Sequence, residues 1–134
     1  MKLKLFFVLV LTAIIFVGCS AEKPNNEITI LEIPAEYRDW TNPKGGSEAK
    51  AAGKLIYEVN CVSCHGDTGL GDGPAGGSLV PAPVNFYELN PLVGEDYYYF
   101  VIREGVPGTS MVPWKNTLKE EEIYQVVAYV REFK

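Results

Sequence analysis

The chain has 134 residues, with 17 acids against 12 bases, one histidine and three cysteines. That length suits a single domain. The acidic balance excludes the positive footprint that nucleic acid requires, and the three cysteines each have a use other than a disulfide framework.

Lys2 and Lys4 precede thirteen uncharged residues, Leu5–Val17, and then Gly18-Cys19. A basic start, an apolar middle and a small residue before a cleavage point make residues 1–18 a secretory signal. The apolar run falls short of the about 20 residues of a permanent bilayer-crossing helix. Phe16-Val17-Gly18-Cys19 resembles the lipobox of bacterial lipoproteins, with Phe16 where Leu is commoner. The resemblance implies that Cys19 is acylated and becomes the new N-terminus; the alternative is an ordinary signal with an incidental cysteine. Cleavage there leaves ten bases against seventeen acids, a net charge near −7. No polybasic patch serves an anionic membrane, so the lipid anchor would hold the chain to it.

Residues 19–46 have the composition of a linker, with Pro24-Asn25-Asn26, Pro34 and Asn42-Pro43-Lys44-Gly45-Gly46. Fully extended, such a segment reaches about 90 Å. Ile28, Ile30, Leu31, Ile33, Tyr37 and Trp40 are too apolar for a pure spacer, and pack on the domain or on a partner. The globular domain is expected over residues 47–134. A unit of that size hides only about 60–65% of its unfolded surface, so a large apolar prosthetic group would reinforce it.

Ser47 is placed to cap a helix running to about Val62, with Ala49, Ala52, Gly53, Ile56 and Asn60 along one face. Six glycines and Pro74 between Gly66 and Gly77 forbid regular structure there. Pro81, Pro83 and Pro91 keep the next segment extended or turning. A short helix is predicted over Asp96–Glu104, ending at Gly105, and a last one over Leu118–Phe133. Thr117 and Glu120 offer that last helix a capping box, and Ile123, Val126, Val127 and Val130 form its apolar stripe. The fold expected is small and all-α, three to four short helices with long loops wrapped around a ligand.

The chemistry lies in Cys61-Val62-Ser63-Cys64-His65. On a helix, positions i, i+3 and i+4 project from one face. Two thiols so placed can add across the vinyl groups of one haem, and the adjacent imidazole can bind its iron; this is the haem c attachment pattern. A zinc site lacks ligands, since the only others are a distant Cys19 and no second histidine. A thioredoxin-like pair lacks its βαβ context. Ligand counting then addresses the sixth coordination position. His65 is the only histidine, and Met111 is the only methionine besides Met1. Met111 sits in a Gly- and Pro-rich loop, Gly105 to Trp114, and is the expected second axial ligand, with core filling as its bland alternative. Tyr97, Tyr98 and Tyr99 read as helix surface and cavity wall.

Cys61 to His65, the loop Gly66-Asp67-Thr68-Gly69-Leu70-Gly71-Asp72-Gly73-Pro74-Ala75, then Gly108-Thr109-Ser110-Met111 and Val127-Ala128-Tyr129-Val130 together resemble class I c-type cytochromes. The resemblance spans about Ala49 to Phe133 and is closest to the short monohaem domains of bacterial respiratory chains. It implies first and last helices crossing near Gly53 and Tyr129, and a proline carbonyl, from Pro81 or Pro83, orienting His65. Two departures are Val112 where many relatives place Pro, and Lys119 where many place Ser or Thr. With both axial positions filled, the expected function is extracytoplasmic electron transfer between membrane redox complexes, without a small-molecule substrate or enzymatic activity of its own. Three settings are consistent with this reading: a tethered carrier, a fixed subunit of a quinol-oxidising or terminal oxidase complex, and a gas sensor in which Met111 dissociates.

Overall fold

The first long helix, α1 (Ser47–Asn60), follows from a run of good helix formers around three alanines, with Glu48 in its first turn facing the positive end of the dipole. The computed structural model describes residues 28–134, so the signal, Cys19 and the start of the expected linker lie outside the described residues. Gly46 rather than Ser47 occupies the N-cap, and no side chain caps this end. The helix stops two residues before the expected Val62: Cys61 departs to φ −116° and ψ −33°, and a single further turn, α2 (Val62–His65), follows. A second single turn, α3 (Phe86–Leu89), is capped by Asn85, whose side chain accepts from the N–H of Tyr87. These two turns bring the α-helices to five, and no strand occurs among the described residues.

Helix α4 (Glu95–Glu104) carries two acids in its first turn and ends where Gly105 turns to φ 74°. A Cβ at Gly105 would lie 2.7 Å from the carbonyl oxygen of Met111, so the backbone doubles back where no side chain fits. Helix α5 (Glu120–Val130) buries Ile123, Val126, Val127 and Val130 almost completely, as its apolar stripe predicts. Its capping differs from expectation. Lys119 is the N-cap, and its backbone N–H donates to the Glu122 carboxylate at 2.7 Å. Thr117 lies too far upstream to cap, because the helix starts later than its apolar pattern suggests.

Helices α1 and α5 pack closely at Gly53. A Cβ there would stand 1.9 Å from the Gln125 carbonyl oxygen and 3.1 Å from the Tyr129 Cβ, which puts the crossing where the resemblance implies it. Gly53→Ala therefore sets two effects against each other. Helix propensity favours alanine by about 1 kcal/mol, while overpacking against a rigid backbone costs about 1–3 kcal/mol or more. At 1.9 Å the clash wins, and the melting temperature should fall by about 5–15 °C. A melting temperature at or above wild type would show that the two helices separate freely.

The segment 28–46, expected as linker, lies against the domain. Ile28, Leu31, Ile33, Tyr37 and Trp40 all pack on the buried core. Trp40 stacks on Tyr99, with centroids 4.2 Å apart and planes 10° from parallel. The segment covers Tyr99 through Trp40 and meets Tyr97 through Leu31, while Tyr98 packs on Phe86 in the core, so all three tyrosines are buried. Successive helical residues point about 100° apart, so three in a row are covered only when a further element lies outside the helix. No helix among the described residues is long and apolar enough to cross a membrane.

Candidate functional site

The turn bearing the two thiols is built from backbone bonds that the sequence spacing allows. The Cys61 carbonyl accepts from the N–H groups of Cys64 at 3.1 Å and His65 at 2.9 Å. The glycine loop then folds back over α2, with Gly71 donating to the His65 carbonyl at 2.9 Å and Gly73 to that of Cys64 at 3.2 Å. A Cβ at Gly73 would sit 2.4 Å from the Val62 carbonyl oxygen, so only glycine permits this approach. The loop clamps the thiol-bearing turn from outside.

Across from it, the loop after α4 is pinned at several points. Val106 N–H donates to the Met111 carbonyl at 2.9 Å, the Thr109 hydroxyl to the Val106 carbonyl at 2.9 Å, and Met111 N–H to the Thr109 hydroxyl at 3.1 Å. Between these two loops lies a cavity of about 840 Å³, within the range of sites for large organic ligands. Cys61, Cys64, His65 and Met111 all line it, with Tyr98, Ile102, Trp114, Val126 and Val130 supplying apolar wall. The fold thus brings together the four residues that the sequence singles out.

Their state is informative. No disulfide joins Cys61 and Cys64. Burial, and secondarily the neighbouring Cys64, pushes the Cys61 thiol up to about 12, the opposite of the lowered value of a reactive thiolate. Burial holds His65 down to about 4, so its imidazole is neutral, the form that binds metal. Its ring stacks on Phe86 at 4.9 Å, and its Nδ1 is buried with no hydrogen-bond partner. The proline carbonyl bond implied by the resemblance is therefore not made here, although Pro81 and Pro83 both line the cavity. No group of three or more His, Cys, Asp or Glu side chains among the described residues is placed to hold a bare metal ion. A neutral imidazole, one thioether and two thiols around a large apolar cavity instead suit a metal that arrives inside its own macrocycle.

One contributor is expected from sequence only to pack on the domain or a partner, and another escapes the sequence reading. Ile28 and Leu31, from the expected linker, reach the cavity wall. Asn90 is buried and donates to the carbonyls of Val130 at 3.1 Å and Phe133 at 2.6 Å, tying α3 to the end of α5. The apolar alternation at 31 and 33 signals a buried face for the first; nothing in the local sequence marks the second.

The family described as cytochrome c oxidase, cbb3-type, subunit III, matches residues 48–130, a stretch holding all four cavity residues. The chain belongs to that family. The cytochrome is similar to the cbb3-type cytochrome c oxidase subunit CcoP of Azospirillum sp. (strain B510), 36% identical over 92 residues that cover 66% of this chain and 30% of that one. It is also similar to a thiosulfate dehydrogenase of Stutzerimonas stutzeri (strain A1501), 37% identical over 68 residues, or 50% of this chain and 19% of that one. The cytochrome thus spans less than a third of the length of these relatives. Among solved structures, the c-type cytochrome KustC0563 superposes with a TM-score of 0.53 at 31% identity, over 61% of this chain and 96% of its own. A Kuenenia stuttgartiensis reducing HAO-like protein complex shares the fold, with a TM-score of 0.61 at 24% identity, over 69% of this chain and 47% of that one. The all-α fold is that of a class I c-type cytochrome. Covalent haem c and haem-based electron transfer follow from the family.

Proposed function

We propose that this cytochrome carries single electrons on one haem c attached through Cys61 and Cys64, with His65 and Met111 as axial ligands, while tethered to a membrane outside the cytoplasm by lipid on Cys19. The observation that carries the reading is the convergence of those four side chains on one apolar cavity. Bound there, the haem supplies a one-electron couple, and a thioether opposite an imidazole favours its ferrous form relative to two imidazoles. With haem bound, the neutral His65 and Met111 would hold its iron from either side, which would leave no open position for substrate. The protein is then a carrier and not an enzyme in its own right. Its partners are membrane redox proteins, not nucleic acid or a small-molecule substrate.

The pinned Met111 loop disfavours a gas sensor, which needs that side chain to leave easily. Between carrier and fixed subunit, the oxidase relative supports the second. The packing of residues 28–40 on the domain supports the first, since those apolar groups are no longer free to dock elsewhere.

Salt dependence separates the two. Residues 28–134 hold nine bases against fifteen acids, a surface that suits a basic partner. Raising ionic strength from 0.1 M to 1 M shortens the Debye length from about 10 Å to about 3 Å. The rate of haem oxidation by native membranes, with the chain's N-terminal part intact, should therefore fall at least tenfold across that range. A flat profile supports a fixed subunit whose interface is already formed. A rate that rises with salt would mean that like charges face each other and that the partner is not basic.

A further inference from the structure

We infer that residues 28–42 form a fixed wall of the haem cavity, in which Ile28 and Leu31 shield the prosthetic group and Trp40 latches the segment shut. The inference rests on the haem reading above. Ile28, Thr29 and Leu31 line the same cavity as Cys61 and His65. Leu31 and Ile33 pack on the buried core, whereas Ile30, the residue before Leu31, is 45% exposed and does not reach the cavity. Leu31 N–H also makes a long bond, 3.5 Å, to the hydroxyl of Tyr97, itself a cavity residue.

Three fastenings hold the segment downstream of that contact. The Tyr37 hydroxyl donates to the Glu104 carboxylate at 2.7 Å and accepts from Arg103 at 3.0 Å. The Trp40 ring lies flat on Tyr99 and 5.4 Å from Tyr124. Asn42 donates from its side chain to the Tyr124 carbonyl at 2.7 Å and from its backbone to Glu95 at 3.0 Å. These contacts engage both α4 and α5, the helices that carry the opposite wall. The segment is consequently seated on the domain at both ends of its described length.

An apolar wall excludes water from the haem, and the apolar shell of a metal site sets its dielectric and hence its potential. A polar group or water admitted at this edge stabilises the more highly charged ferric form and moves the midpoint potential negative. Leu31 and Trp40 are thus positioning residues for the couple, acting without touching iron.

The test is a redox titration of the full-chain holoprotein. Leu31→Asn and Trp40→Ala should both shift the midpoint potential to more negative values, with the covalent haem and the Met111–iron absorption band intact. Ile30→Asn should keep the wild-type potential, and Trp40→Phe should stay close to it. In parallel, trypsin should cut wild type slowly after Arg38 and Lys44 and Trp40→Ala at least tenfold faster, a readout that does not need the asparagine variant to fold. A wild-type potential in Leu31→Asn despite a lowered melting temperature overturns the inference, because the segment then only packs. Fast cutting of wild type at Arg38 overturns it too, since the latch would not be closed. Haem that extracts freely from wild type overturns the haem reading and this inference together, a result distinct from either of the others.

Discussion

Replacing Cys61 and Cys64 together by alanine leaves a protein whose red colour passes completely into acidified acetone, whereas wild type retains it. The reason is covalent. Two thioethers survive denaturation, while His65 and an apolar cavity hold a haem only as long as the fold lasts. Either single alanine variant keeps one bond and most of the colour. Once stripped of its haem, the double variant should also lose helix content in far-ultraviolet circular dichroism, because the 840 Å³ cavity then has nothing to fill it and a domain this small has little other core to rely on. Complete extraction of colour from wild type would refute covalent attachment outright.

With Met111 as the proposed second ligand, Met111→Ala should abolish the weak red-edge absorption band of a sulfur–ferric iron bond, open the reduced protein to carbon monoxide and move the midpoint potential strongly negative. The chain offers no second histidine, and no methionine besides Met1, to replace the lost ligand. The loop should tolerate the truncation. Its turns are closed by Thr109 and by the backbone of Val106, Met111 and Trp114, not by the thioether. The expected stability cost is about 2 kcal/mol, the low end for a Met→Ala change at a half-buried position. A wild-type protein that lacks the band and binds carbon monoxide readily would instead favour the gas sensor.

The candidate site was legible because its chemistry restricts both residue type and spacing. Cys61, Cys64 and His65 stand out as a contiguous pattern, and Met111 emerges because nothing else remains to face His65. The helices α4 and α5 were visible in their apolar periods and in Gly105. What stayed hidden depends on contacts between segments far apart in the chain. The break at Cys61 is set by the glycine loop folding onto α2, and no local propensity marks it. The burial of Tyr99 needs Trp40, which lies 59 residues away in sequence. The alternation around Leu31 announces a buried face but not the surface that covers it. Asn90 looks like a turn residue until the carbonyls of Val130 and Phe133 arrive beside it.

The seating of residues 28–42 also sets the length of the leash. A free linker from Cys19 to Gly46 would let the domain roam about 90 Å from its anchor. With the chain bound to its own domain from Ile28 onward, only the nine steps from Cys19 to Ile28 are left to pay out. At about 3.3–3.6 Å per residue they span no more than about 30 Å. The lipid proposed on Cys19 would therefore confine the haem to a thin layer above the bilayer. Partners whose redox centres lie within that layer would meet it at high effective concentration, and taller ones would lie beyond its radius.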